Sequence, residues 1–354
     1  MLKMSPDFWY SKRVLITGHT GFKGSWLSLW LQSLGANLSG IALEPPTKPA
    51  LFDIAHIAEG MKHHVVDIRD FEAVKIHMDE FKPEIVIHMA AQPLVHLSYD
   101  QPVQTYATNV MGTVHILEAS RHSGSVKVIV NVTTDKCYAN REWVWGYRED
   151  DPMGGIDPYS SSKGCSELVS SAYRQSFLKE AGIAMASARA GNVIGGGDWA
   201  RDRLVPDVLR ALEKGEPALI RNPNAVRPWQ HVLEPLSGYL LLAERLYLQG
   251  QSYAEGWNFG PRHEDARPVQ WVVEYLCKNW GNGASWTLQS SDHPDEVKSL
   301  KLDISKARQY LQWEPNWSLE ASLKHTIDWH QAWIEGRDMR TVCRTQIDQY
   351  RSFL

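Results

Sequence analysis

The glycine-rich segment at residues 17–24 constrains the fold more than any other feature of the chain. It reads TGHTGFKG and places Gly18, Gly21 and Gly24 at GxxGxxG spacing. The apolar run RVLIT predicts a β-strand leading into the segment, and residues 23–34 predict an α-helix that follows it. This order is typical of dinucleotide-binding folds, in which the amino terminus of the helix faces the pyrophosphate. A glycine-rich turn without a ligand is the alternative, which this context disfavours.

Apolar runs alternate with helical segments through the first half of the chain. The runs EIVIHMA and KVIVNV have no polar alternation, which suits parallel strands covered on both faces. The sequence therefore predicts an α/β fold, with a Rossmann-type doubly wound parallel sheet and a smaller α/β C-terminal substrate lobe. Strands are predicted at residues 13–17, 38–43, 64–66, 84–90 and 127–132, and helices at 23–34, 70–81, 102–123 and 159–181.

The regular pattern weakens after Asn192, where glycine, proline and tryptophan become frequent. We predict an NAD-binding Rossmann domain at residues 1–192, with residues 233–256 returning to pack on it. The substrate lobe is predicted at residues 193–232 and 257–315. A helical segment is predicted at residues 316–354.

Composition excludes several other classes of function. The 354 residues carry a net charge of −4 without a Lys/Arg run, so we expect no nucleic-acid partner. No stretch of eighteen apolar residues and no signal-peptide core is present, so we expect no membrane span and a cytoplasmic location. The four cysteines form neither a CxxC pair nor a zinc-like spacing with histidine, so we expect no metal site.

Two acidic residues after predicted strands are candidates for contacts with the adenosine half of the cofactor. Glu44 lies twenty residues after Gly24 at the end of the second strand, where a carboxylate holds the ribose and repels a 2'-phosphate. The predicted cofactor is therefore NAD rather than NADP. Asp67, after the third strand, either contacts adenine or caps the helix that begins near Asp70.

The segment YSSSK at residues 159–163 carries the predicted redox chemistry. Tyr159 and Lys163 are four residues apart, so they share one face of a helix. A tyrosine with an unperturbed pKa near 10 is a poor base, but a nearby ammonium group favours the phenolate. A surface pair is the alternative, which the position after a Rossmann-type half disfavours.

The segment NVTTDKCY follows the fifth predicted strand, at the sheet edge where ligands bind in such folds. Thr134 is the predicted hydroxyl partner of the substrate oxygen beside Tyr159. Asp135 and Lys136 follow directly. They are either acid–base groups or an ordinary solvated pair of charges.

Five segments, TGHTGFKG, HMAAQ, TNVMGT, TTDK and YSSSK, resemble the extended short-chain dehydrogenase/reductase family, and the resemblance covers nearly the whole chain. It implies an NAD-dependent enzyme and a homodimer formed by the helices at 102–123 and 159–181. The implied cofactor contacts are Gly18, Thr20, Gly21, Phe22, Gly24, Glu44, Asp67, Ile68, Ala90, Ala91, Gln92, Asn109, Tyr159 and Lys163.

Longer segments, including GNVIGGGDWARDRLVPD, resemble the nucleotide-sugar 4,6-dehydratases within that family. The resemblance implies CDP-glucose as the substrate and a 4-keto-6-deoxy sugar as the product. By position, Tyr159 deprotonates the 4-hydroxyl with help from Thr134, Asp135 protonates the departing 6-hydroxyl, and Lys136 removes the C5 proton. Relatives that act on dTDP-glucose carry a carboxylate in place of Lys136, and a lysine must be neutral to act as a base.

The resemblance also implies contacts with the nucleotide sugar. Asn192 and Arg227 match positions that face the sugar diphosphate, and Arg262 is a further phosphate candidate, with a surface ion pair as its alternative. His96 either lines the sugar pocket or packs in the core. Residues 140–155 form either a loop over the site or an excursion packed by its aromatic side chains.

Two other functions remain open at this stage. A nucleotide-sugar 4-epimerase shares the Tyr159 and Lys163 machinery but does not need Asp135 and Lys136. A non-catalytic NAD-sensing protein would be expected to lose Tyr159 or Lys163, and both are present.

Overall fold

The computed structural model describes residues 5–289 and 300–354. A seven-stranded sheet lies at its centre, in the order β10-β6-β5-β4-β1-β2-β3, and each of its six pairings is parallel. This order confirms the predicted doubly wound fold. The seven strands are β1 Arg13–Thr17, β2 Asn37–Ala42, β3 Lys62–Val65, β4 Ile85–His88, β5 Val128–Val132, β6 Ala184–Ala190 and β10 Gly256–Phe259.

Helices cover both faces of this sheet. The predicted helix at 102–123 is α6 and α7 joined through a π-helical turn at Ala107–Met111, and the predicted helix at 159–181 is α8 extended by a π-helical turn at Arg174–Leu178. The α-helices in the described residues are α1 Pro6–Trp9, α2 Phe22–Ser33, α3 Leu51–Ile54, α4 Phe71–Phe81, α5 Val95–Asp100, α6 Pro102–Tyr106, α7 Gly112–His122, α8 Pro158–Tyr173, α9 Leu204–Glu213, α10 Leu233–Gln249, α11 Val269–Trp280, α12 Leu319–Ile334 and α13 Met339–Arg351.

Strand residues alternate between two apolar cores. Ile16, Ile87 and Val130 face the core that contains α2 and α10, whereas Val86 and Ile129 face the core that contains α4 and α7. Because successive side chains of a strand point to opposite faces, a strand buried on both sides reads as a continuous apolar run. This is why the central strands were recognisable in the sequence.

Smaller sheets lie beyond the end of β6. One has the order β11-β9-β7 and the other pairs β12 with β8. They share an apolar core with α9, α11 and part of α12. The strands are β7 Asn192–Ile194, β8 Ala218–Ile220, β9 Val226–His231, β11 Ala266–Pro268 and β12 Trp286–Leu288.

The large sheet also includes a strand that the sequence assigned to the smaller lobe. The strand β10 pairs with β6 at Gly256↔Ser187 through Phe259↔Ala190, so the predicted lobe boundary at residue 257 cuts through a strand of the first domain. The preceding helix α10 packs on β5 and β6. Residues 290–299 of the predicted lobe lie outside the described residues.

A buried ion pair joins β6 to α8. The Arg189 Nε and Nη2 atoms each donate to a different Glu167 carboxylate oxygen at 2.9 Å, and the two side chains are 6% and 4% exposed. The Arg189 Nη1 atom also donates to the Tyr138 hydroxyl at 2.7 Å and to the Glu149 carbonyl at 2.8 Å. Burial alone would raise the pKa of Glu167, but the Arg189 charge and hydrogen bonds from Arg189, Ser187 and Thr133 hold it below its usual value.

Among residues 5–289 and 300–354, no helix combines the length and the apolar character that a membrane span requires. In the same residues, no group of three or more His, Cys, Asp or Glu side chains could hold a metal ion.

We predict that Arg189→Met lowers the free energy of unfolding by about 3–5 kcal/mol, because it leaves the Glu167 carboxylate buried without its partner. Urea denaturation measures the change. Arg308→Met is the matched control, since Arg308 lies 3.8 Å from Glu314 in an exposed pair, and it should cost no more than about 1 kcal/mol. Equal losses in the two variants would contradict the prediction.

Candidate functional site

The phosphate loop lies between β1 and α2. Gly18 has φ +76°, and a Cβ atom there would lie 2.8 Å from the Ala90 backbone. A Cβ atom at Gly24 would lie 2.2 Å from the Gly18 carbonyl oxygen, so both positions require glycine. Gly21 is the N-cap of α2 and provides no side-chain cap, which leaves the first N–H groups of the helix for an anion. Phe22 begins the helix, and the Thr20 hydroxyl donates to the Leu43 carbonyl at 2.9 Å.

The chain after β4 lies directly beside this loop. The Thr17 hydroxyl accepts hydrogen bonds from Met89 N and Ala90 N, both at 3.0 Å. Asn109, in the π-helical turn, accepts from Gln92 N at 2.8 Å and donates to the Gln92 carbonyl at 3.1 Å. These bonds fix the backbone on both sides of Ala91 at the carboxyl edge of the sheet.

The candidates for the adenosine end follow β2 and β3. Glu44 is exposed two residues after β2 ends. The N-cap of α4 is Asp70, whose carboxylate accepts from Ala73 N, so the alternative that Asp67 caps this helix is wrong. Asp67 instead pairs with Arg69, whose hydrogen bonds hold the pKa of Asp67 below its usual value. The buried Ile68 packs on Gly112 of α7.

Tyr159 and Lys163 lie on the buried face of α8. Tyr159 is 8% exposed and Lys163 is 6% exposed, and the Lys163 ammonium donates to the Val132 carbonyl at 3.3 Å. Burial raises the pKa of Tyr159 to about 12, and a hydrogen bond with Thr134 opposes that rise. Burial lowers the pKa of Lys163 to about 8, although the negative charge of Glu167 opposes that fall. The structure thus brings the predicted Tyr, Lys and Thr together.

Asp135, next to Thr134, is almost completely buried, with 2% of its surface exposed. Its Oδ1 atom accepts from the Thr134 hydroxyl at 3.0 Å, while its Oδ2 atom is buried without a hydrogen-bond partner. Burial raises the pKa of Asp135, and the charge of Lys136 opposes the rise. The Lys136 ammonium lies 6.0 Å from the centre of the Tyr159 ring. A carboxyl group in this state is suited to donate a proton.

Two positively charged residues that were not predicted, Lys23 and Arg203, also lie near this site. Burial lowers the pKa of Lys23 to about 7, and the positive charges of Arg203 and Lys163 lower it further. Arg203 pairs with Asp198 at 2.8 Å, and its charge acts on Tyr159 as well. Lys23 stands inside the glycine motif, which was the available signal. Arg203 lies far along the chain from Tyr159, and no spacing rule connects the two.

The predicted substrate contacts do not all converge. Asn192 begins β7 and is paired in register with Trp229 of β9, and the charge of Arg227 on β9 acts on Asp135. Arg262 instead donates to the Pro315 carbonyl at 3.0 Å, and its charge acts on Glu234 and Asp265. These contacts do not connect Arg262 to Tyr159 or Asp135, and its role as a phosphate ligand stays a prediction.

His96 lies in the first turn of α5 and is exposed, so the alternative of a packed core histidine is wrong.

The segment 140–155 is held by aromatic stacking. The ring of Tyr147 stacks on Tyr138 at 5.2 Å and on Trp143 at 5.3 Å. The Tyr147 backbone also forms a parallel bridge with Leu302. Trp145 remains 68% exposed. The base of the segment is thus a packed excursion, and its tip is the part that is open to solvent.

Known proteins match this chain over most of its length. The family model described as GDP-mannose 4,6 dehydratase matches residues 15–326. The CDP-glucose 4,6-dehydratase of Salmonella typhimurium is 58% identical over 354 residues, which cover 99% of each chain. The UDP-glucose 4-epimerase of Thermus thermophilus, solved with NAD, has a TM-score of 0.75 at 25% identity and covers 90% of this chain and 99% of its own.

The dTDP-glucose 4,6-dehydratase of Bacillus anthracis, also solved with NAD, has a TM-score of 0.74 at 21% identity. The match covers 93% of this chain and 100% of that chain. It shows that the two proteins share a fold.

We predict that Lys23 makes stability rise with pH. Its pKa is about 7 in the folded chain and about 10.4 when unfolded. Between these values the unfolded chain binds more protons, so the free energy of unfolding increases as pH rises. Lys23→Met should flatten this increase, measured by urea denaturation between about pH 7 and pH 9. The exposed Lys179→Met should leave the slope unchanged, and parallel curves for wild type and Lys23→Met would refute the assignment.

Proposed function

The chain belongs to the GDP-mannose 4,6-dehydratase family, and from that premise we propose that it is an NAD-dependent lyase acting on CDP-D-glucose. The proposed product is CDP-4-dehydro-6-deoxy-D-glucose, formed with loss of water. One observation carries the reaction type: a buried carboxyl group, Asp135, lies within hydrogen-bonding distance of Thr134, which contacts Tyr159. The assignment of cytosine as the nucleobase of the substrate rests on the relative that is 58% identical.

The residues present fit NAD. The backbone passes Gly18 and Gly24 too closely for any side chain, and the uncapped helix α2 points its N–H groups at the space beside Gly21. Lys163, Asn109 and the Ala90–Gln92 segment would hold the nicotinamide half, while Glu44 and Asp67 would hold the adenosine half. When bound, NAD supplies reversible oxidation at the sugar C4, with hydride return to C6.

The first step needs a base at the sugar 4-hydroxyl. Tyr159 serves as that base, and the charge of Arg203 opposes the rise of its pKa that burial causes. The Lys163 ammonium, one helical turn further along α8, would also favour the phenolate. Thr134 shares the hydrogen bond to the same oxygen. Oxidation makes C4 a ketone, which acidifies the neighbouring C5 proton.

The second step is elimination of water across C5 and C6. Lys136 removes the C5 proton, and Asp135 protonates the departing 6-hydroxyl, a role that the upward shift of its pKa by burial favours. Lys136 later returns a proton to C5. An epimerase needs neither group, so the buried acid beside Thr134 favours the dehydratase.

The nucleotide end lies towards β7 and β9. Asn192 and Arg227 line this side, and Arg203 adds a cation held by Asp198. Guanidinium groups suit the diphosphate of a nucleotide sugar. We place the reaction in deoxysugar biosynthesis, of the kind that supplies O-antigen and lipopolysaccharide, and in the cytoplasm.

The helices beside the site expose an apolar face that suits a second copy of the chain. Val103 on α6, Leu168 on α8 and Tyr99 on α5 are 76%, 61% and 59% exposed. These helices pack on one another, and we propose that their exposed apolar side chains form one face. This face supports the predicted homodimer.

The proposed function is tested by incubating the protein with CDP-glucose and NAD in heavy water. We expect the product to have lost one water, as measured by mass spectrometry. It should also carry one deuterium at C5, as measured by NMR. An unchanged mass with inverted C4 would make the protein an epimerase. If the protein does not act on CDP-glucose but turns over another nucleotide sugar, the reaction type would stand and the nucleobase of the substrate would be reassigned.

In the same assay, Lys136→Met should slow water loss by about 100-fold or more. Oxidation at C4 should persist, detected as a ketone trapped by borodeuteride in a single turnover. Tyr159→Phe should block both steps, and Lys278→Met on the surface of α11 should change neither. Unchanged water loss in Lys136→Met would assign the base elsewhere.

The homodimer is tested by placing a charge on the proposed face. Val103→Glu should reduce the mass in sedimentation equilibrium from that of two chains to that of one. Val144→Glu is the control, because Val144 is 73% exposed and lies in the 140–155 segment, outside α5, α6 and α8. A wild-type protein with the mass of one chain would refute the dimer.

A further inference from the structure

The chain between β7 and α9 is packed against tryptophans of two distant helices. A Cβ atom at Gly196 would lie 2.0 Å from the Trp329 ring of α12, so the backbone touches this ring directly. The Trp26 Nε1 atom of α2 donates to the Gly196 carbonyl at 2.9 Å. Both tryptophans are fully buried, and Trp329 is itself fixed by a 3.1 Å contact from its Nε1 to the Cys343 sulfur of α13.

Trp199 extends from the same segment and lies against both Trp329 and Trp333. The ring centres are 5.6 Å from Trp329 and 5.2 Å from Trp333, with interplanar angles of 65° and 68°. Such edge-to-face geometry is a favoured arrangement of aromatic pairs. The Trp199 carbonyl also accepts a hydrogen bond from Arg210 Nη2 of α9 at 3.0 Å. We call Trp199, Trp329 and Trp333 the aromatic clamp.

The residues on either side of Trp199 connect the clamp to the site. Asp198 accepts from Ala200 N at 3.0 Å through one oxygen and pairs with Arg203 at 2.8 Å through the other. Arg203 is the N-cap of α9, and its charge acts on Tyr159 and Lys23. At the other end of α9, Glu213 lies 3.4 Å from His330 of α12. The helix α12 therefore contacts Trp199, four residues before Arg203, and Glu213 at the C-terminal end of α9.

We infer that Trp199 is a positioning residue that holds Arg203 at the nucleotide-sugar site by packing between Trp329 and Trp333. This inference rests on the proposed function, since Arg203 is taken to contact the anionic end of the substrate. Trp199 and Trp333 are only partly buried. Truncating Trp199 therefore removes a partly buried ring, while the contacts of Gly196 with Trp26 and Trp329 stay in place.

The test is a double-mutant cycle with Trp199→Ala and Arg203→Gln. If Trp199 acts through Arg203, each single variant raises KM for CDP-glucose by about tenfold, and the double variant is no worse than Arg203→Gln alone. Trp199→Phe keeps a ring in the clamp and should restore most of the affinity. Additive losses, or an unchanged KM in Trp199→Ala, would overturn the inference.

Two controls separate positioning from general damage. Trp271→Ala removes a tryptophan that stacks on Tyr275 at 5.6 Å on α11, outside the clamp, and should leave KM unchanged. Binding of NAD and the thermal midpoint should be similar in Trp199→Ala and Trp271→Ala. An equal rise of KM in Trp271→Ala would also overturn the inference.

A failure of the proposed function can be distinguished from a failure of this inference, because it shows as a lack of CDP-glucose turnover by the wild-type protein. If wild-type protein does not turn over CDP-glucose, the cycle is measured by calorimetric titration with CDP, which carries the same diphosphate. Coupling between Trp199 and Arg203 in CDP binding would then support the positioning role of Trp199, although the proposed reaction would have to be reassigned. Absence of coupling in that titration would overturn the clamp as well.

Discussion

A buried ion pair links β6 to α8, the helix that carries Tyr159 and Lys163. Arg189 on β6 and Glu167 on α8 form two hydrogen bonds, and Glu167 stands one helical turn after Lys163. Arg189 also donates to the Tyr138 hydroxyl, just before the 140–155 segment, and to the Glu149 carbonyl within it. Because an unpaired buried charge is costly, these contacts form together. The depth of Lys163 and its position beside β5 follow from that arrangement.

Burial of charged groups also determines the protonation states that the site offers. Lys23 and Lys163 hold their protons less tightly than free lysines, whereas Asp135 holds its proton more tightly than a free carboxylic acid. Arg203 stays charged beside Asp198. The site therefore presents an acid that is ready to donate and cations that gain from an anionic ligand. A cofactor and a substrate that each carry a diphosphate match this excess of positive groups.

The local parts of this site could be predicted from the sequence, whereas contacts between distant parts of the chain could not. The TGHTGFKG loop depends on contacts within one short segment, and Tyr159 and Lys163 depend on one helical turn, so their spacing alone was informative. Arg203 is brought to Tyr159 only by the packing of α9, which has no periodic signal. Arg262 is drawn to Pro315 by the C-terminal chain, and β10 joins the large sheet because its partner is the much earlier strand β6.

The proposed reaction also requires protons to balance over a full turnover. Tyr159 gains a proton from the 4-hydroxyl, Asp135 loses one to the departing water, and Lys136 both takes and returns the proton at C5. Tyr159 therefore ends with one proton too many and Asp135 with one too few. The Thr134 hydroxyl donates to Asp135 Oδ1 at 3.0 Å and also forms a hydrogen bond with Tyr159. Since Asp135 is almost closed to solvent, this hydroxyl is the direct route by which the two groups return to their starting states.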